Sequence, residues 1–351
     1  MGGNALSTGE SARLSAVEYT RVTTEVLALL RKALPFLNPQ VVQAYRSKPD
    51  FGDLDLLITE SAVVRSGQWE GVQSALEAAI EQVSVTLNGP VLSFGYRLDA
   101  GAASPLFQVD LISVPDAAYQ FAYRYFAFND LADFIRRVAD FKGFSFGQTG
   151  LWYDVKVSAS ESRPVCVTQD FDQALEFLGF DSSSHRNGFD NLEDVFEFVA
   201  RSRYFTPSLY DLSTLSHKWR TRAATRTTHR RFQEWLKAVQ PRPQYSHTRG
   251  AVDWVAQGDE LFPGFARARA EALQAYVSRQ EQLRRRKELF NGAMLSAWTG
   301  VRGEALGVLL ERFKQSFHSE DALYEFMAKE GVEAARARAI SLVAPAHAPG
   351  D

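Results

Sequence analysis

Phe51-Gly52-Asp53-Leu54-Asp55-Leu56-Leu57-Ile58 is the stretch on which the reading of this chain turns. An apolar run entered from a glycine turn has the character of a sheet strand. Along a strand, residues i and i+2 point to the same face. Asp53 and Asp55 therefore stand side by side, while Leu54 and Leu56 go into the core. Two like charges at that spacing repel and destabilise the fold. A divalent cation removes that penalty, because Mg²⁺ takes hard oxygen ligands and usually keeps several waters and substrate phosphates.

A D-x-D pair by itself is most often an exposed edge or a capping turn. Here a glycine precedes it, an apolar run follows it, and a third acid appears downstream in a similar setting. Phe107-Gln108-Val109-Asp110-Leu111-Ile112 carries a lone carboxylate in another apolar strand. If the two strands are neighbours, Asp53, Asp55 and Asp110 converge on one or two metal ions, an arrangement suited to in-line phosphoryl transfer. Asp110 then stands near the 3′-hydroxyl nucleophile, an assignment from role rather than spacing.

Outward from this segment, the periodicity predicts a helix from about Leu14 to Leu34 and a short strand over Val41–Tyr45. Trp69–Val83 reads as a helix, Pro90–Leu98 and Leu106–Val114 as strands, and Arg124–Phe141 as an aromatic-rich helix. The segment GFSFGQTG then breaks the pattern before strand-like WYDVKVS and PVCVT. Beyond about residue 180 only helical patterns remain, over Leu192–Val199, His229–Val239, Phe265–Glu288 and Leu306–Phe313. The expected organisation is a tail and helix over 1–40, a catalytic domain over 41–180, a polar boundary loop at 180–188, a helical nucleic-acid-binding domain over 189–343 and a tail over 344–351.

The chain has 351 residues, 45% of them hydrophobic and 23% charged, as in ordinary globular proteins. Its net charge of −3 gives no global attraction to nucleic acid, so any such binding rests on a local patch. Cys166 is the only cysteine, which excludes an internal disulfide and a thiolate zinc cluster and suits a reducing cytoplasm. The start lacks the basic and apolar regions of a signal peptide, and no apolar run approaches the roughly 18 residues of a membrane span. A cytoplasmic protein without membrane partners is expected.

Tyr45-Arg46-Ser47-Lys48-Pro49-Asp50-Phe51-Gly52-Asp53-Leu54-Asp55 resembles the active-site entry of the DNA polymerase beta-like (family X) nucleotidyltransferases. The similarity continues through Val109-Asp110-Leu111-Ile112-Ser113-Val114-Pro115 and Tyr125-Phe126 to Lys142-Gly143-Phe144, about residues 40–180. The resemblance implies an α+β fold, a polymerase beta-like palm with a small mixed sheet, followed by an all-α C-terminal domain. It implies that Asp53, Asp55 and Asp110 bind two magnesium ions, with manganese as a possible replacement. Tyr125 and Phe126 fall on the pair that packs against the nucleotide sugar, Arg46 on a phosphate contact and Arg137 on a residue near the templating base. Lys48, Gly52 and Asn129 are further candidates for the nucleotide pocket.

Two departures stand out. The Gly-Ser pair that holds the triphosphate in the family is replaced by Val42-Gln43-Ala44, where Lys48 partly substitutes. The Thr-Gly-Ser after the aromatic pair is replaced by Ala127-Phe128-Asn129, which leaves sugar selection open. Without the resemblance, Phe121, Tyr125, Phe128 and Phe134 read as a helix core, and Arg46 and Lys48 as solvated turn residues.

Between Thr214 and Gly250 nine Lys or Arg residues meet one acid, Glu234. Lys218, Arg220, Arg222, Arg226, Arg230 and Arg231 are the candidate nucleic-acid contacts. Interleaved Trp219, Phe232, Trp235 and Tyr245 suit base stacking, or equally a buried aromatic seam beneath a solvated face. Trp298-Thr299-Gly300-Val301-Arg302-Gly303-Glu304-Ala305-Leu306-Gly307 resembles a glycine hairpin found late in bacterial tRNA nucleotidyltransferases. Its glycines permit a tight turn and close helix approach, and its amides can meet a phosphate backbone. Helix packing alone explains it about as well.

The expected activity is transfer of a nucleoside monophosphate from a nucleoside triphosphate to a nucleic-acid 3′-hydroxyl, RNA favoured over DNA and a tRNA end above all. A family X-like gap-filling DNA polymerase, a catalytically silent binding protein of the same fold and an enzyme that modifies a protein are the alternatives.

Overall fold

The computed structural model describes Leu6 and residues 12–81, 83–99, 104–214, 217–239 and 252–343. Strand β1 (Leu14–Ser15) leads into helix α1 (Ala16–Ala33). Ser15 caps the helix, accepting from the Glu18 amide while the Glu18 carboxylate accepts from the Ser15 amide. This reciprocal capping box explains why the helix starts here. Val22, Val26 and Leu30 form its buried stripe, and it ends at Leu34, where Pro35 disfavours helical backbone in the residue before it.

Strands β2 (Gln40–Val41), β3 (Asp50–Phe51) and β4 (Asp53–Thr59) follow. The strand expected over Val41–Tyr45 is limited to Gln40–Val41, because the backbone beyond it finds other partners. The Val42 amide still donates to the Asp55 carbonyl, but the Arg46 and Ser47 amides donate to the carbonyls of Phe189 and Asp190. Thr59 ends β4 and caps α2 (Glu60–Arg65), a helix without a sequence expectation. Helix α3 (Gln68–Ala79) stops short of the expected Val83, since Ile80 turns extended and buries its side chain.

Strands β5 (Val85–Asn88) and β6 (Val91–Arg97) form a hairpin, and β7 (Leu106–Val114) returns beside β6. The sheet order is β2-β4-β7-β6-β5, with β4 and β7 parallel and the other neighbours antiparallel. Alternation sorts the side chains. Leu54, Leu56, Ile58, Phe107, Val109 and Leu111 join the core with α1 and α3. Leu57, Ile112 and Val114 on the other face are covered by α4 (Tyr119–Phe126). Asp53, Asp55 and Asp110 share that second face.

Helix α5 (Leu131–Lys142) follows α4, so the helix expected over Arg124–Phe141 is two helices. They break at Phe128 and Asn129, both at φ 62°, a left-handed conformation no helix continues through. Strands β8 (Ser145–Gly147), β9 (Gly150–Lys156) and β10 (Ser162–Thr168) then form an antiparallel sheet, so the supposed breaker GFSFG itself contains a strand.

The remainder is helical: α6 (Phe171–Phe177), α7 (Ser182–Asn187), α8 (Leu192–Ala200), α9 (His217–Thr225), α10 (Thr227–Ala238) and α11 (Trp254–Leu261), then α12 (Phe265–Leu289), α13 (Gly292–Thr299), α14 (Glu304–Gln315), α15 (Glu320–Glu330) and α16 (Val332–Ser341). The molecule is thus mixed α+β with a helical C-terminal region. It divides into compact units at Ala268/Arg269, so the boundary expected at 180–188 falls inside the first unit. The cause is packing: Phe196 of α8 and Phe232 of α10 bury against Phe134 of α5.

The second unit has its own core of Phe290, Leu295, Leu309, Phe313, Leu323 and Met327. Its α13–α14 turn uses Gly300 at φ 73° and Gly303 at φ 62°. A side chain at Gly307 would meet open space within 4 Å, so the expected close helix approach at that glycine is not made. The segments read as tails, 1–10 and 344–351, lie outside the described residues except for Leu6, which is buried. Among the described residues no helix is long and apolar enough to cross a membrane.

Candidate active site

In the parallel β4–β7 register, Asp55 lies opposite Asp110 and Asp53 opposite Gln108. A carboxylate oxygen from each of Asp53, Asp55 and Asp110 lies within 4.8 Å of the other two. Asp110 is only 1% exposed, and Gln108 Nε2 donates to both of its oxygens at 2.9 Å. Burial raises the Asp110 pKa; hydrogen bonds from Ser93 and Gln108 oppose that rise, and Asp53 adds to it. Burial is also the main cause of the upward shift at Asp55, reinforced by Asp53 and Asp110. Hard oxygen ligands this close fit a magnesium-type ion, which would relieve their repulsion.

A cleft of ≈ 500 Å³ is lined among others by Tyr19, Gln43, Arg46, Lys48, Phe51 and Tyr123, and the charges of Asp53 and Asp55 reach its Tyr19 and Lys48. Lys48 is half-buried in it, with Nζ 4.6 Å from the Phe51 ring centroid and donating to Asn129 Oδ1 at 3.3 Å. Burial lowers the Lys48 pKa, against the pull of Asp53, Asp55 and Asp50. Tyr19 stacks on Phe51 with ring centroids 3.8 Å apart. Burial drives its phenol pKa upward, with Asp55 adding to the effect.

The other expected nucleotide residues divide. Gly52 is buried between β3 and β4. Tyr125 and Phe126 are half-buried, edge to face at 5.4 Å; Tyr125 also meets Phe146, and Phe126 joins the cluster that covers Leu57. Arg46 turns to the start of α8, donating to Asp190 and to the Asn187 carbonyl. Arg137 lies 3.8 Å from Asp140, with its pKa lowered by burial despite the nearby charge of Asp140 and Asp133.

The basic segment is not a uniform strip. Arg231 pairs with Glu193 at 2.7 Å, Arg230 donates to Thr227, and Arg220 is exposed. The side chains of Lys218, Trp219 and Arg222 lie outside the described residues, as do Arg242, Tyr245 and Arg249. Phe232 is fully buried and stacks parallel to Trp235, which makes this part of the aromatic pattern a core seam.

Arg226, at the N-cap of α10, turns inward. It pairs with Asp130 and lies 3.7 Å from Asp133, which meets His229 Nε2 at 3.2 Å. Burial lowers the Arg226 pKa, opposed by the charges of Asp53 and Asp55 and by Tyr125. The sequence reading missed Tyr19, Asp130 and this inward placement of Arg226. Asp130 directly follows Asn129, the one local signal that pointed toward it.

No family model matches the chain, and no curated protein matches it in sequence.

Proposed function

We propose that this chain is a metal-dependent nucleotidyltransferase that moves a nucleoside monophosphate from a nucleoside triphosphate to a nucleic-acid 3′-hydroxyl in the cytoplasm. The observation that carries the reading is the meeting of Asp53, Asp55 and Asp110 on adjacent parallel strands. The mixed sheet with α1 and α3 behind it supports a polymerase beta-like palm. Magnesium or manganese, when bound, supplies Lewis-acid charge for an in-line displacement at the α-phosphorus.

The residues of the chain do the rest by positioning. Asp53 and Asp55 hold the ion side of the site, and Asp110 takes the place nearest the attacking 3′-oxygen. As that oxygen bonds to phosphorus, the bond to the pyrophosphate oxygen breaks and the hydroxyl proton leaves to a base. Lys48 is in reach of phosphate charge, and the half-buried Tyr125–Phe126 pair offers an apolar surface to the sugar. The excess of lysine and arginine in the sequence between Thr214 and Gly250 favours an RNA acceptor, a tRNA end being the first to try.

Incubation with each labelled ribo- and deoxyribonucleoside triphosphate, magnesium, and total tRNA or primed DNA tests this reading. End extension by the wild type is expected, with loss of about a thousandfold or more in Asp53→Ala and Asp55→Asn. Full incorporation by Asp53→Ala overturns it, and extension of primed DNA alone selects a gap-filling polymerase. The engagement of Arg46 by Asp190 favours a second reading, a catalytically silent binding protein or an enzyme with a protein acceptor. Calorimetry with magnesium and nucleotide separates a silent scaffold, which binds neither.

A further inference from the structure

The four-residue turn Ala127–Asp130 between α4 and α5 holds a cation with each of two successive side chains. Asn129 Oδ1 accepts from Lys48 Nζ at 3.3 Å, and the Asp130 carboxylate pairs with Arg226. These cations come from elements far apart in sequence, the loop ahead of Asp53 and the N-cap of α10. The turn itself is held in an unfavourable shape, with Phe128 and Asn129 both at φ 62°. Such backbone persists only where its surroundings enforce it. Here the Phe128 amide donates to the Gln43 carbonyl at 2.7 Å, which fastens the turn to the loop that carries Lys48.

Both cations feel the charges of Asp53 and Asp55. Both Arg226 contacts to Asp130 and Asp133 use Nη1, and a guanidinium carries five N–H donors in a planar fork. Arg46, by contrast, directs both of its Nη groups to Asp190 and Asn187. A polyphosphate lying along the acids therefore meets two pre-positioned cations that owe nothing to Arg46.

We propose that Lys48 and Arg226 form a clamp for the β- and γ-phosphates of the nucleotide, set in place by Asn129 and Asp130 of one strained turn. Arg226 is thereby moved from the acceptor surface to the nucleotide site. The proposal rests on the nucleotidyl-transfer reading of Asp53, Asp55 and Asp110.

Calorimetry on the full chain with magnesium, comparing each of the eight common nucleoside triphosphates with its monophosphate, tests the clamp. Arg226→Gln and Lys48→Met are each expected to weaken triphosphate binding by about tenfold or more. Monophosphate binding stays unchanged, so the preference for triphosphate collapses, and Arg226→Lys restores part of it as a point charge. A purely structural loss would lower both affinities together. Arg226→Gln with Asp130→Asn removes the ion pair as a unit and keeps the test available if the single variant fails to fold. A wild-type triphosphate preference in both Arg226 variants, with transfer abolished in Asp55→Asn, overturns the clamp and leaves the active-site reading standing. Failure of the wild type to bind or transfer any nucleotide overturns that reading, and the clamp with it.

Discussion

Asp55 stands directly across the parallel β4–β7 register from Asp110, with Asp53 on the same face two residues earlier. Burial and the charge of Asp53 raise the pKa of both Asp55 and Asp110, so without metal this arrangement opposes folding. Asp55→Asn keeps the side-chain shape and removes one charge. The metal-free variant is expected to gain about 1 kcal/mol, or roughly 2–4 °C in melting temperature. Saturating magnesium should raise the wild-type melting temperature and leave Asp55→Asn nearly unmoved, because an ion stabilises only the state that binds it. Equal magnesium shifts in both proteins would remove the metal site from consideration.

Arg46 and Asp190 form a pair exposed to solvent, with side chains 59% and 73% accessible. Such pairs contribute about 0–1 kcal/mol, so Arg46→Ala should leave the fold stable. Its effect on the nucleotide KM is expected to be smaller than that of Arg226→Gln, and no larger than that of Asp190→Ala. Steady-state kinetics on the three variants decides this. A larger loss from Arg46→Ala than from Arg226→Gln would mean that Arg46 leaves Asp190 to meet the phosphates.

Phe232 has no exposed surface and packs on Phe134 at 4.3 Å, Phe196 at 5.1 Å and Trp235 at 5.9 Å. Truncating a buried phenylalanine to alanine costs about 3–5 kcal/mol through lost transfer energy and a cavity. Phe232→Ala should lower stability by that amount in chemical denaturation. A loss under 1 kcal/mol would contradict the placement of α10 against α5.

The acids were legible because their signal is local. A period of two puts Asp53 and Asp55 on one face, and an apolar strand with one carboxylate stands out at Asp110. Their pairing needed only that the two strands be neighbours. Arg226 was legible as a basic residue but not as an inward-facing one, because its partners Asp130 and Asp133 lie in the turn before α5 and on α5 itself, and no periodicity links them to α10. The unit boundary was missed for a similar reason. Leu192–Val199 and His229–Val239 carry good helical patterns, but a pattern does not say which core receives its apolar face. Here Phe134 receives it.

Lys142 is buried with Nζ 4.1 Å from the Phe177 ring centroid, 3.9 Å from Tyr204 and 4.0 Å from Trp254, and it donates to the Phe177 carbonyl. The rings favour its charge, but burial, aided by Arg203, brings its pKa down from 10.5 to about 7. Below that value folded and unfolded chains both hold the proton. Between it and 10.5 the unfolded chain binds more protons, so this group's contribution makes stability rise with pH across that window. Lys142→Met should flatten the rise. Denaturation midpoints of both proteins at a series of pH values check it, and equal slopes would show that the rings keep the amine charged.

Gly300 and Gly307 separate the two roles expected for the glycines of the α13–α14 hairpin. Gly300 caps α13 at φ 73°, where an L side chain is strained although nothing lies within 4 Å of the added Cβ. Gly300→Ala should therefore destabilise by about 1–2 kcal/mol through backbone conformation alone. Gly307 lies within α14 at an ordinary φ, and its added Cβ likewise meets open space. Gly307→Ala should stabilise by about 0.5–1 kcal/mol, because alanine is the better helix former and the unfolded chain loses freedom. Opposite signs from two glycines of one motif mark a turn signal rather than a packing interface. If Gly307→Ala destabilises in thermal unfolding of the full chain, another surface approaches α14 closely at that point, and the hairpin acts by close contact after all.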